Sequence, residues 1–402
     1  MKKIFNLEKF IYLTIVAMPA YLWKVSFFGV PTNIFEMMAA AAIIWFLIER
    51  RTFKIALRGY GKYSIPIAMI MGGLVLGTLL GGSSLIGLGI IKSWFVIPMV
   101  FAFVSLEAVR PEGNKTVLEA VYISALLVAG AALVYFFLGG MTYDGRLKAF
   151  YGSPNYLAMF LAPAIIIGSV FFAKKKVFYA ISLPIILSAF YLTFSYAAWL
   201  AVFIAVGGAV FLNKNGWKKW KNVLFLGLVA GIIIFFQTGT GKFERLVRLE
   251  ERSSLSSRMM IWNSAGKMIT DNMFLGIGPG NFQNKYLAYQ KYFPPYLEWA
   301  VPQPHNLFLA FWLQAGLAGL AGFLALLIIW FKDLAIGWKK EAGWEMAAAA
   351  IIAYMLVHGI FDTTYFKNDL AVLFWLAFFA GIKKSSKLGL ERKRADSQSV
   401  IL

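Results

Sequence analysis

His305 and the basic residues that precede it are the side chains of this 402-residue sequence best suited to chemistry. The chain holds only two histidines, and a neutral imidazole can accept a proton close to neutral pH. His305 lies in Pro304-His305-Asn306, which closes a 67-residue polar stretch, 238–304, and opens a long apolar segment. That stretch carries Lys242, Arg245, Arg248, Arg252, Arg258, Lys267, Lys285 and Lys291 against five acids. Arginine presents a planar fork of donors to phosphate oxygens, each charge-assisted bond contributing roughly 1.5–3 kcal/mol. A cationic surface beside an imidazole could hold a lipid-borne phosphate while the ring takes a proton from an attacking hydroxyl. Arg258 is the first choice for the phosphate because it leads, through a serine pair, into an amphipathic helix whose backbone N–H groups also favour anions. Arg252 belongs to the same cationic run, where Glu250 and Glu251 neutralise part of the charge. The plainer alternatives are a histidine that hydrogen-bonds locally at a helix start and a solvated basic face.

Other clusters supply further candidates. Tyr143, Asp144, Arg146 and Lys148 precede Gly152-Ser153-Pro154-Asn155, and Arg146 and Lys148 are cations in a short loop that an anion could neutralise. His358 and Asp362, four residues apart, share one helix face and form either a second proton-handling site or a polar contact between helices. Lys92 falls within an apolar span, where it snorkels, pairs with a carboxylate or lines a polar path. Scattered carboxylates with no Asp-x-Asp or His-x-x-x-His spacing favour chemistry without a metal, and nothing points to a cofactor. Gly276 to Gly280 lacks the strand and lysine of a phosphate loop.

The elements that must position these residues are membrane helices. The sequence is 60% hydrophobic and 14% charged, which too few charges could keep soluble. It has no cysteine, so disulfides and thiolate metal sites are excluded. Apolar segments fall at about 11–29, 31–48, 64–81, 84–106, 116–138, 155–173, 177–194, 196–212, 222–237, 305–330, 346–361 and 368–382. The expectation is an all-α polytopic protein of about twelve transmembrane helices forming one integral membrane domain, 1–402. With both termini in the cytoplasm, 26 of the 39 Lys and Arg residues fall in cytoplasmic loops and tails, including a basic tail at 383–402. The 238–304 stretch then becomes a large extracytoplasmic loop. Topology accounts for most of the net charge of +20, and nucleic acid is not an expected partner. The N-terminal segment reads as an uncleaved anchor. Within the loop, the spacing of Met259, Met260, Trp262, Ala265, Met268 and Ile269 predicts a helix starting near Ser256-Ser257 and ending at Asp271-Asn272. Phe282 to Tyr292 predicts another, closed by Pro294-Pro295.

Taken in order, several motifs resemble the O-antigen ligase and polymerase superfamily of bacterial envelope glycan transferases. They are Arg146 to Asn155, Ser257-Arg258-Met-Met-Ile-Trp262, Gly276-Ile-Gly-Pro-Gly-Asn281, Pro304-His305-Asn306-Leu-Phe-Leu, Gly316-Leu-Ala-Gly319 and His358-Gly-Ile-Phe-Asp362. The resemblance implies a GT-C-like membrane glycosyltransferase of the plasma (inner) membrane with an extracytoplasmic active site. Such an enzyme takes a glycan from undecaprenyl diphosphate, among membrane lipids, and passes it to a glycan or lipid A-core-like acceptor, as in lipopolysaccharide assembly. It implies metal-independent inverting transfer, with His305 as the base and Arg258 binding the diphosphate. Arg252, Arg146 and Lys148 are further donor-binding candidates, because Tyr196 stands after Ser195 where ligases of this kind often carry arginine. An O-antigen or exopolysaccharide polymerase fits the same motifs. A flippase or transporter for lipid-linked glycans is the reading from another class.

Overall fold

The structure is a computed structural model and describes residues 6–27, 30–49, 60–82, 84–109, 113–172, 175–212, 254–294, 301–337 and 343–382. Among the described residues the regular structure is helical apart from one hairpin and an isolated bridge between Met141 and Leu147. The helices are α1 (Leu7–Val16), α2 (Ile34–Glu49), α3 (Ser64–Leu80), α4 (Ser84–Ala108), α5 (Gly113–Phe137), α6 (Pro154–Phe171), α7 (Lys176–Tyr191) and α8 (Tyr196–Leu212). They continue with α9 (Ser254–Asp271), α10 (Phe282–Tyr289), α11 (Leu307–Gly337), α12 (Gly343–His358) and α13 (Asn368–Gly381). Among the described residues, five helices are long and apolar enough to cross a membrane, and four shorter apolar ones accompany them. Each apolar segment anticipated from the sequence contains a helix except 222–237, which lies outside the described residues, as does the basic tail 383–402.

Two of those segments differ from expectation. In 11–29 the helix stops at Val16, a single 3-10 turn follows over Met18–Leu22, and the chain then forms a hairpin. Pro19 lacks the N–H needed to continue the α-helix. Strands β1 (Lys24–Phe27) and β2 (Val30–Asn33) pair antiparallel, with Lys24 opposite Asn33. The segment at 305–330 is also not one straight helix. α11 breaks at Gly316, whose φ of 67° and ψ of −172° are not helical, into arms 307–315 and 317–337.

The break is stitched by the glycine turn between α9 and α10. Leu313 O accepts from Ile277 N (2.7 Å) and Gly278 N (3.1 Å), while Leu317 N donates to Phe274 O (3.1 Å). These bonds satisfy backbone groups that the interrupted helix leaves unpaired. The same region lies against α3, where a Cβ on Gly73 would collide with Ala315 O. Gly276–Gly280 is therefore a structural brace that fastens the polar stretch to the bundle.

α13 is the centre of the bundle, buried at every position from Asn368 to Gly381, and it packs on α4 and α12. A helix apolar on all sides belongs in such an interior. Lys92 lies in a π-helical turn of α4, Ile91–Val96. Its Nζ is 2.8 Å from Glu36 Oε2 and 2.7 Å from Pro31 O, so of its sequence readings the carboxylate pair is the one observed. Glu36 also accepts from Thr32 (2.9 Å) and Asn368 (2.7 Å), tying the hairpin, α2, α4 and α13 together.

Gly316→Ala should lower the thermal unfolding midpoint in detergent, because a left-handed φ costs a side chain about 1–2 kcal/mol and its Cβ would meet Phe274 O. Unfolding followed by tryptophan fluorescence measures this, and an unchanged midpoint would show the break to be tolerant.

Candidate functional site

His305 is positioned by hydrogen bonds at its own carbonyl and at the two residues that follow it. Asn306 caps the first arm of α11, its Oδ1 accepting from Phe308 N (2.9 Å) and Leu309 N (3.0 Å). Its Nδ2 donates to Ile360 O (2.9 Å), and Leu307 N donates to Gly359 O (2.6 Å). Trp262 Nε1 on α9 donates to His305 O (3.3 Å). These contacts hold the His305 backbone at φ 47°, a left-handed conformation that side chains rarely adopt. Among the described residues, only Ala149 and Phe194 share it without being glycine. Both belong to the segments that supply Arg146 and Ser195-Tyr196 to the same region.

The turn 359–362 carries the partner of His305. Phe361 N and Asp362 N both donate to His358 O, at 2.9 and 3.0 Å, and aim the Asp362 carboxylate inward. Asp362 Oδ1 is 2.9 Å from His305 Nδ1 and accepts from Thr363 N at 2.9 Å. Its Oδ2 accepts from Asn155 Nδ2 (2.9 Å) and lies 3.9 Å from Arg258 Nη2. The side chain is 2% exposed. Burial alone would push this carboxyl up, but the charge and hydrogen bond of His305 and the Arg258 guanidinium outweigh it and hold it well below the usual carboxylate range. An ionised carboxylate only accepts, so the proton between the two residues belongs to Nδ1. Nε2 is then the basic nitrogen, and among the described residues no side chain or backbone group bonds to it.

Two guanidinium groups flank this pair. Arg146 extends from a loop closed by the Met141–Leu147 bridge, donating from Nε to Thr193 O (2.8 Å) and from Nη2 to Asn155 Oδ1 (2.6 Å). Burial pushes its guanidinium down and Asp144 opposes this, but arginine stays protonated at any working pH. Arg258 donates from Nε to Phe361 O (2.7 Å) and from Nη1 to Ser254 O (3.2 Å). Arg146, Arg258, Asn155 and His305 line a single cavity of ≈ 380 Å³, together with Ser195, Tyr196 and the apolar Ala197, Leu200 and Ile261. With the Asp362 lone pairs spent behind the wall, the surface facing the cavity is cationic and basic. It suits an anion lying beside a hydroxyl group.

His305, Arg258 and Arg146 converge. Lys148 does not line the cavity. Arg252 lies outside the described residues. Arg258 is inside α9, which begins at Ser254, rather than ahead of it. His358 and Asp362 do not bond to each other through their side chains: Asp362 turns to His305, while His358 Nδ1 meets Tyr354 Oη at 2.8 Å in a fully buried setting. His358 contributes its carbonyl to the turn. Spacing of four residues suggested a pair because it is visible in sequence, whereas the real partner is 57 residues away. Asn155, which ends the Arg146 to Asn155 motif, bridges Arg146 and Asp362, a role that its residue type alone does not reveal. Its position just inside α6, after the Ser153 cap and Pro154, was the available signal.

Asp362→Asn should flatten the acid limb of stability. A carboxyl held below its usual value stabilises the fold at pH above about 4, and this contribution is lost as pH falls through the lowered value. Unfolding midpoints measured from pH 6 downward should fall for the native protein and change less for the variant.

Residues 181–324 match the family model described as O-antigen ligase, which supports the O-antigen ligase and polymerase superfamily for this chain. The matched region runs from within α7 to within α11 and contains Arg258 and His305, whereas Arg146, Asn155 and Asp362 lie outside it. No curated protein matches the chain.

Proposed function

We propose, from the support for the O-antigen ligase and polymerase superfamily, that this membrane protein is a glycosyltransferase moving a glycan from undecaprenyl diphosphate to an acceptor hydroxyl. The observation that carries this reading is the His305–Asp362 pair opening on a cavity beside Arg146 and Arg258. His305 Nε2 removes the acceptor proton as the hydroxyl oxygen forms a bond to the anomeric carbon. The bond from that carbon to the diphosphate oxygen breaks on the opposite face, giving inversion. The departing diphosphate carries its charge onto Arg258 and Arg146, and the proton on His305 is stabilised by Asp362 until it passes to solvent. General base assistance supplies about 10²–10⁴-fold of the rate, and the guanidinium groups stabilise charge that grows during bond cleavage. No step requires a metal.

Tyr196 lines the cavity where an arginine was expected, and Arg146 lines the same wall from another loop. We assign to Arg146 the role of that second cation. In this reading the chain spans the plasma membrane as one domain with cytoplasmic termini, and the cavity lies on the extracytoplasmic side. Nucleotide sugars are absent there, so a lipid-borne diphosphate is the available activated donor. The polymerase reading uses the same chemistry with a lipid-linked glycan as acceptor. The transporter reading is weaker, because Lys92, its cation at membrane depth, is bound to Glu36.

His305→Ala is expected to reduce transfer at least about 10²-fold while the protein still expresses and keeps its helical circular dichroism, measured with purified donor lipid in vesicles. Native-level transfer by that variant would remove the base assignment. Arg258→Ala and Arg146→Ala should raise the KM for donor more than for acceptor, and Tyr196→Arg should restore part of the Arg146→Ala loss. An equal effect on both substrates, with no restoration, would count against diphosphate binding.

A further inference from the structure

The cavity has an apolar wall as well as a cationic one, and that wall continues beyond it. Leu200 of α8 lines the cavity and is 51% exposed. Below it, Phe203, Ile204 and Phe211 on the same helix face are also exposed, whereas Ala198, Ala201, Val202, Ala205 and Ala209 are buried against the bundle. Between Ile204 and Phe211 lie Gly207 and Gly208, where an added Cβ would meet nothing within 4 Å. The stripe therefore has a shallow trough at its middle, bounded by larger side chains. From Leu200 to Phe211 it runs about 16 Å along the helix axis, roughly half the thickness of a hydrocarbon core. No charged residue occurs in α8.

We infer that this trough on α8 carries the hydrocarbon tail of the lipid diphosphate whose headgroup occupies the cavity; the inference rests on the proposed transferase reading. Continuity selects this face over other lipid-facing ones. Leu127 and Val134 on α5 are equally exposed, but no residue of α5 reaches the cavity lining. Hydrocarbon gains little by leaving bilayer lipid for an apolar helix, so the trough acts by direction rather than by affinity. A tail lying along α8 fixes the line on which the diphosphate arrives between Arg146 and Arg258. It leaves the opposite side of the anomeric carbon open to the acceptor and His305. An amphiphile with one tail and a bulky polar head fits both halves of the site.

The test places p-benzoylphenylalanine at Ile204, Phe211 or, for comparison, Leu127 in the full chain. Each protein is reconstituted in vesicles containing polyprenyl diphosphate oligosaccharide with a radiolabelled tail, irradiated, and assayed for transfer in parallel. Labelling at 204 and 211 several-fold above 127, and competed by unlabelled donor, is expected. Equal labelling at the three positions would mean that ordinary lipid covers the stripe and would overturn the inference. Transfer by the unmodified protein with no label at 204 or 211 would also overturn it while leaving the transferase reading intact. Absence of both transfer and label anywhere would instead remove the transferase reading, and the inference with it. Gly208→Trp, which fills the trough, should lower kcat/KM for the long-tailed donor about tenfold and leave a short-tailed donor analogue unaffected. Equal loss with both donors would contradict a role for the tail.

Discussion

The Asp362 carboxylate is the constraint on which the rest of the site depends. Removing an ionised group from water is costly unless its oxygens are paired. Here the partners come from widely separated parts of the chain: His305 ahead of α11, Asn155 on α6, Arg258 on α9 and the Thr363 N–H beside it. Asp362 can stay buried and charged only while those elements are assembled. The cost of burial is thus converted into fixed geometry, and the same bond that offsets it settles which nitrogen of His305 is basic. Arg146 extends the network one step further through Asn155.

The scaffold supports this by breaking a helix. A continuous α11 would send the chain from His305 straight down through the bundle. The left-handed Gly316 instead separates a nine-residue arm, 307–315, from the long arm below it. The freed backbone groups are taken up by Phe274, Ile277 and Gly278. This couples the polar stretch to the bundle at one end of α9, while Trp262 and Arg258 couple it at the other. The left-handed backbone at His305 costs roughly 1–2 kcal/mol. It persists because the 359–362 turn holds the His305 ring, the Asn306 side chain and the Leu307 N–H.

Much of this was legible in the sequence where the signal is local. Apolar length located the helices, and the spacing of Met260, Ala265 and Met268 gave α9, whose buried face carries these residues. Rare residue types drew attention to His305, Arg146 and Arg258. What was hidden is non-local or conformational. Nothing in the sequence pairs Asp362 with His305 rather than with nearby His358, because that choice is made by the packing of the 359–362 turn against α11. The break at Gly316 was masked by unbroken hydrophobicity on both sides, since a glycine in a membrane helix more often marks close packing. Pro19 signalled that the first segment, 11–29, could not be one helix, yet its apolar content read as a span.

Imidazole rescue of His305→Gly in a reconstituted transfer assay tests the central claim most directly. Glycine accepts the left-handed backbone at this position and leaves room for a free ring beside Asp362. Transfer should be nearly absent without imidazole and return in proportion to added imidazole, whereas Asp362→Asn should gain nothing from it. Full transfer by His305→Gly without imidazole would contradict the account.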